Sequence, residues 1–528
     1  VTTLLLLNGR IHSPTHPDAT AMAVRGETVA WLGSDDVARA QFPDADAVDL
    51  GGAFVAPAFV DAHVHVTSTG LLLSGLDLRA ATSKEHCLRL LAGYAAENPE
   101  GIIWGHGWDD STWPQPGAPS TAEVDAAVAA RPAYLSRIDV HSALASTSLR
   151  TRTAELDTRD GYHPDGPLSA DAHHLVRAQA RALLSDVQKS RARSTALDTF
   201  ASNGVVAVHE CAGPEIGGLD DWQQLRTIEH GVEVIGYWGQ AVHSAAQARE
   251  LMETTGARGL AGDLFVDGAL GSRTAWLTEP YADFDGCGRH YLDADAIGAH
   301  VRACTAAGVT AGFHVIGDAA VGAVVAAFEQ VVDELGVPAV ARCGHRLEHL
   351  EMVSPEQAAK LGAWGVIGSM QPNFDALWGG SDGMYARRLG PDRARLLNPL
   401  SLLASAGVPL AFGSDSPVTG MDPWATVRAA TTHRTDGAAV SARAAFSAAT
   451  RGGWRAGGVR DGVTGTLTAG APASYAVWAT DTLEVAAPAD SVQRWSTDPR
   501  SRVPALPSLT GASPRCIQTV HRGRGLFG

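Results

Sequence analysis

The chain has 528 residues, 45% hydrophobic and 19% charged, a balance that fits a large folded protein and excludes a disordered one. A net charge of −16 with no lysine–arginine cluster argues against nucleic acid as a partner. Cys87, Cys211, Cys287, Cys304, Cys343 and Cys516 contain no C-x-x-C pair, so a reducing, cytoplasmic compartment is expected.

The opening "VTTLLLLNGR" has a leucine run with no basic residue ahead of it. It is too short for a signal-peptide core or a membrane span and suits a β-strand, and no other stretch reaches membrane length. Short strands continue to residue 57, with Asn8–Gly9 and Arg25–Gly26 as hairpin punctuation. The same character returns at 465–479 and 516–528. Residues 1–57 and 456–528 are therefore expected to form one small β-sandwich domain from both termini.

"FVDAHVHV" (59–66) follows, and strand alternation puts Asp61, His63 and His65 on one face. The stretch 75–190 is far longer than one crossover helix needs and reads as an inserted cap subdomain. It holds an aromatic segment (102–114), a strand-like one (132–146) and an Arg-rich helix (174–200). Strand-like runs then recur at 204–210, 232–239, 262–268, 308–317, 345–350, 365–372 and 408–417, separated by Ala-rich helical segments. With 59–66 they make eight candidates in βαβ alternation, which predicts an α/β fold, a (β/α)8 TIM-like barrel over 58–74 and 191–455. A doubly wound open sheet would favour a glycine fingerprint after its first strand, and none is present.

Such barrels carry their chemistry at the C-terminal strand ends. Those ends hold His63 and His65, His209 and Glu210, Asp267, His314, His349 and Asp415. Agreement across six strands is a poor fit to coincidence. Imidazoles and carboxylates bind zinc, and an open coordination position lets the ion activate water.

"PAFVDAHVHV", "GHGWDD", "FVDGALGSRTA", "FHVIGDAAV", "HRLEHL", "QP" at 371–372 and "FGSDSPV" together resemble the metal-dependent amidohydrolase superfamily, and within it the N-substituted formamide deformylase branch. The resemblance implies a divalent metal, zinc, held by His63, His65, His314, His349 and Asp415. It implies hydrolysis of a C–N bond in an amide, N-substituted formamide, carbamate or cyclic amide, with Asp415 also shuttling the proton. Many members place a carbamylated lysine four residues before the D-G pair, bridging two ions; here that position is Asp263. Lys84, Lys189 and Lys360, the only lysines, fall in helical segments, so no lysine bridge is available. Aspartate reaches less far and bridges only if the backbone moves inward, so one ion is expected, with Asp263 as ligand or supporting carboxylate.

Other residues carry weaker signals. His209 and Glu210 would hold a second metal or orient a ligand. His345 shares a strand face with His349 by spacing and reads as structural. Trp108, Asp109 and His141 resemble positions that cover the pocket in the family, or else pack structurally. Arg273 would neutralise a carboxylate or polarise a carbonyl. Trp104, Trp113, Phe374 and Trp378 would wall a pocket for a small molecule with an apolar or aromatic substituent. Three alternatives stay open: a deaminase using Glu210 as the extra acid, a metal-dependent decarboxylase, and a non-catalytic relative that lost its chemistry with the lysine. A homodimer is the base-rate expectation, and neither nucleic acid nor a membrane is expected as a partner.

Overall fold

Eight short apolar segments pair side by side in the computed structural model, which describes residues 2–480, 482–484 and 504–528. They are β1 (Phe59–Val64), β2 (Val205–Ala212), β3 (Glu233–Trp238), β4 (Gly259–Leu260), β5 (Thr310–Val315), β6 (Arg346–His349), β7 (Ile367–Met370) and β8 (Leu410–Phe412). Each pairs in parallel with the next in chain order. Past β8, Val64 bridges to Ser416, His65 N–H donates to the Ser416 carbonyl at 2.9 Å, and Asp415 N–H donates to the His63 carbonyl at 2.8 Å. These contacts bring the first and last strands together into a nearly closed TIM-like barrel.

The fourth strand is not where the sequence placed it. Regular pairing stops at Leu260, and 262–268 touches its neighbours only through isolated bridges, Phe265 to His314 and Asp267 to His290. Gly262 at φ +76° turns the chain there, a conformation glycine adopts without strain. The following residue packs so closely that a Cβ on Gly239 would lie 2.6 Å from the Asp263 carbonyl oxygen.

Helix α1 (Val66–Ser74) follows β1 directly. Between it and β2, strands Leu76–Asp77, Ile103–Trp108, Ala133–Arg137, Ser142–Ala145 and Leu168–Ser169 form a separate five-stranded sheet. The single Arg-rich helix expected over 174–200 is two, α2 (Ala170–Ala182) and α3 (Asp186–Ser202). Ser185 caps α3 in a reciprocal box with Gln188, which starts a new helix rather than continuing the old one. Gly70 lets α1 approach α3, since a Cβ there would overlap the Ala192 backbone.

The termini build two further sheets. One comprises Thr3–Leu7, Ala21–Arg25, Thr28–Gly33 and Asp46–Asp49; the other joins Arg10–Ile11 and Phe54–Pro57 to Tyr475–Ala479, Arg515–His521 and Arg524–Phe527. They share a core that includes Leu6, Met22, Val55, Tyr475 and Val520. Arg25–Gly26 does turn a hairpin, but Asn8–Gly9 does not. The leucine strand is buried on both faces, Leu6 in one cluster and Leu5 and Leu7 in another, so Asn8 at φ +53° sends the chain across to the second sheet. Residues 485–503, within the expected C-terminal part of that domain, lie outside the described residues. Among the described residues no helix is long and apolar enough to cross a membrane.

Candidate metal centre

His63 ends the inward face of β1 and His65 caps α1. Asp61, on the same face, stays below them: its Oδ1 accepts from Ser414 N–H at 2.8 Å and His63 N–H at 3.3 Å, tying the barrel seam. His349 and Asp415 both sit in the left-handed region, at φ +71° and +53°. Such strain, about 1–3 kcal/mol per residue, gathers where geometry is functional. At His349 it breaks strand alternation, so His349 turns to the cluster while His345 packs outward against Thr305 and Phe328. The two do not share a face, contrary to their spacing.

Histidines from three strand ends converge on the Asp263 carboxylate. Its Oδ1 lies 3.4 Å from His63 Nε2, 3.6 Å from His314 Nδ1 and 3.9 Å from His349 Nε2, and its Oδ2 lies 3.1 Å from His65 Nε2. Asp415 Oδ1 is 3.4 Å from both His63 Nε2 and His65 Nε2. The inward turn at Gly262 supplies the reach that a short aspartate side chain lacks.

Three of the four rings are held through their other nitrogen, while His65 Nδ1 is buried without a partner. His63 Nδ1 donates to Glu348 Oε2 at 2.8 Å, His349 Nδ1 to Gln371 Oε1 at 2.8 Å, and His314 Nε2 to the Gly268 carbonyl at 3.1 Å. These bonds leave His63 Nε2, His349 Nε2 and His314 Nδ1 as bare lone pairs facing the carboxylates, the arrangement that orients metal ligands. Arg346, under the site, clamps Glu348 with bonds of 2.5 and 2.9 Å and also donates to Ala62 O and Ser369 Oγ. Burial would raise the Glu348 pKa, but Arg346 and His63 hold it well below the usual carboxylate range.

The donor set fits a divalent cation. His63 Nε2, Asp263 Oδ1, His314 Nδ1 and Asp415 Oδ1 are all buried without a hydrogen-bond partner. Zinc bonds of about 2.0–2.2 Å place tetrahedral ligand atoms about 3.3–3.6 Å apart, close to the separations among His63, His65, Asp263 and Asp415. Burial would lower the His63 and His65 pKa values, but Asp263 and Asp415, with Cys211 beside His63, raise His63 well above normal and His65 to about 9.

The cluster opens into a cleft enclosing about 640 Å³, counting space open to solvent, lined by Trp104, Tyr134, His141, His174, Arg177 and Arg181 among others. His141 stands with its ring centroid 5.0 Å from that of His314, and burial, with His314 next, pushes its pKa well down, so it is a neutral imidazole. A second lobe of about 340 Å³ continues from His314, His349 and Asp415 past Phe374 and Trp378.

Other expected site residues lie elsewhere. His209 accepts from Arg346 at 2.8 Å in the layer below the cluster. Glu210 accepts from Val66 N–H at 2.7 Å, and burial lifts its pKa to about 7. Neither joins the ligand groups. Trp108 is buried in the small sheet's core, donating to the Leu135 carbonyl, and Asp109 pairs with Arg137 at 2.6 Å. Trp113 packs in that same core. Arg273 pairs with Asp283 at 2.8 Å and does not line the cleft. Glu348 and Arg346 were missed, although their alternation inside "HRLEHL" marks both as inward-facing.

A family model described as an amidohydrolase family matches residues 46–527. The protein LONG AFTER FAR-RED 3 of Arabidopsis thaliana is 26% identical over 462 residues, covering 81% of this chain and 78% of that one. The YtcJ protein of Bacillus subtilis (strain 168) is 27% identical over 418 residues, covering 74% and 75%. The crystal structure of an uncharacterized metal-dependent hydrolase from Pyrococcus furiosus superposes with a TM-score of 0.68 at 27% identity, covering 90% of this chain and 98% of that one.

Proposed function

This chain belongs to the amidohydrolase family, and from that premise we propose that it is a metal-dependent hydrolase cleaving a C–N bond in a small amide, N-substituted formamide, carbamate or cyclic amide. The carrying observation is the set of unpartnered, buried ligand atoms from separate strands facing one another around Asp263.

His63, His65, Asp263 and Asp415 would hold one zinc ion, and His314 and His349 would help to hold a second. One ion is the simpler expectation for an aspartate too short to bridge; the inward turn at Gly262, which brings Asp263 among the four histidines, supports the reading with two. When bound, such ions polarise a carbonyl and lower the pKa of water.

The chain's own groups do the rest. Asp415, fixed by its N–H to the His63 carbonyl, accepts the proton of the attacking water and returns it to the leaving nitrogen. Neutral His141 faces the cluster from the cleft and donates to the oxyanion as it forms. The apolar second lobe favours an apolar or aromatic substituent. A deaminase reading is less well supported, because Glu210, the acid it would need, is engaged by Val66 and does not line the cleft.

The test combines elemental analysis of protein produced with added zinc and a screen of formamides, N-acyl amines and cyclic amides for amine release. Metal near two equivalents with amine release is expected. Metal below about half an equivalent, with no release from any class, would overturn the reading.

A further inference from the structure

Two arginines of α2, Arg177 and Arg181, sit one helical turn apart on the face that lines the cleft, together with His65, Asp263 and Asp415. Arg177 Nη2 donates to the Glu215 carbonyl at 2.5 Å and Arg181 Nη2 donates to Ser68 Oγ at 2.8 Å. Both anchors are neutral. The Nε–H of each guanidinium is buried without any partner.

Neither arginine has a carboxylate within ion-pair distance among the described residues. The nearby acids are committed elsewhere. Asp221 is bound by Arg193 at 2.7 Å, Glu210 by the Val66 N–H, and the Glu215 side chain is 57% exposed and 3.7 Å from His174 Nδ1. Burial pulls the Arg181 pKa down, Asp221 only partly offsets it, and Arg177 adds repulsion. Trp104 lies under the Arg181 guanidinium at 5.8 Å, adding a π face and no counter-charge. Two like charges at this spacing, without a counter-charge and with each Nε buried, are costly in a free protein.

The rest of the cleft gives the arrangement a direction. The cluster stands between this basic lobe and an apolar lobe formed by Leu270, Ile316, Phe374, Trp378, Met384 and Val418. Resting on the hydrolase reading above, we propose that Arg177 and Arg181 form a carboxylate-binding subsite, so that the substrates are amides with a free carboxylate on one side of the scissile bond and an apolar group on the other. Each guanidinium has an Nε–H donor without a partner, and a carboxylate is the acceptor that guanidinium donors bind most strongly. N-acyl amino acids carry that carboxylate on the amine side and dicarboxylic monoamides on the acyl side. The chemistry recognised is the same.

The experiment is calorimetric binding to the zinc-loaded protein. N-hexanoylglycine is compared with N-hexanoylglycinamide, and adipic acid monobutylamide with its carboxamide. Wild type is expected to bind at least one acid about 10-fold or more tighter than its neutral partner, the scale of a charge-assisted pair. R177Q/R181Q is expected to lose that preference. R177K/R181K, which keeps charge and bulk but removes the Nε–H donors, is expected to lose most of it and serves if the glutamine variant fails to fold. Equal binding of acid and neutral partner by wild type, or an undiminished preference in a folded variant, would overturn the subsite. Arginine-dependent binding of an acid without cleavage of any amide tells against the hydrolase reading alone. Cleavage of the neutral amides with no preference for acid tells against the subsite alone.

Discussion

His63 Nδ1 donates to Glu348 Oε2 at 2.8 Å, and both side chains are fully buried. Arg346 holds the same carboxylate from the other side, so one acid fixes the tautomer of a ligand ring and neutralises a buried guanidinium. Glu348→Gln keeps the shape but removes the charge. Metal affinity is expected to fall about 10–100-fold, the scale for partners that orient ligands. Stability is expected to fall by about 3–5 kcal/mol, because Arg346 loses its counter-charge. Competitive zinc titration and urea unfolding read the two effects separately.

Among the described residues, Asp263 is the one carboxylate within 4 Å of all four cluster histidines. Asp263→Asn is nearly isosteric and is expected to lower bound metal by at least half. Elemental analysis after gel filtration decides it, and undiminished metal would remove Asp263 from the ligand set.

His63→Ala and His65→Ala are expected to abolish amide hydrolysis with the fold retained. Far-UV circular dichroism monitors folding alongside amine release. His65 provides the gentler variant, since it lies outside β1 and lines the cleft. Normal turnover by either variant would refute its place among the ligands.

His345 gives a pH dependence independent of the metal. Its Nδ1 accepts from Ala311 N–H at 2.9 Å and its Nε2 meets Thr305 Oγ1 at 3.0 Å. Burial, with His300 adding to it, depresses its pKa from 6.5 to about 3. The folded state therefore prefers the neutral ring, and its contribution is complete above pH 6.5 and lost as pH falls towards the folded value. Between pH 8 and 5 the loss is about 2 kcal/mol, from 1.36 kcal/mol per unit over about 1.5 units. His345→Asn retains an acceptor for Ala311 and should flatten that part of the profile. Unfolding curves at the two pH values in both proteins check it.

Much of this architecture is legible because its signals are local. Apolar runs mark β1, β2, β5, β6, β7 and β8, and polar residues at the ends of β1, β5, β6 and β8 mark five of the six cluster side chains. The sixth, Asp263, was recognised as an oddity but placed within a strand, because "GDLFVDG" is apolar enough to hide the turn that Gly262 makes. Trp108, Asp109 and Arg273 look like site residues by type, yet each has a partner within its own neighbourhood, and only three-dimensional packing decides that. Arg177 and Arg181 were overlooked for the opposite reason. On a helix of mixed charge, two arginines at i and i+4 look solvated, and only packing shows Arg177 buried and Arg181 half-buried.

The contacts around Val64 and Ser416 carry a consequence for how the molecule matures. Asp61 and Ser414, which tie that junction, are 353 positions apart in the chain, and the groups that would grip an ion stand on both sides of it. A nascent polypeptide that has not yet made its eighth stave has nothing complete to offer zinc. Metal uptake should thus come late and act as a clasp, favouring closed barrels over every partly assembled form.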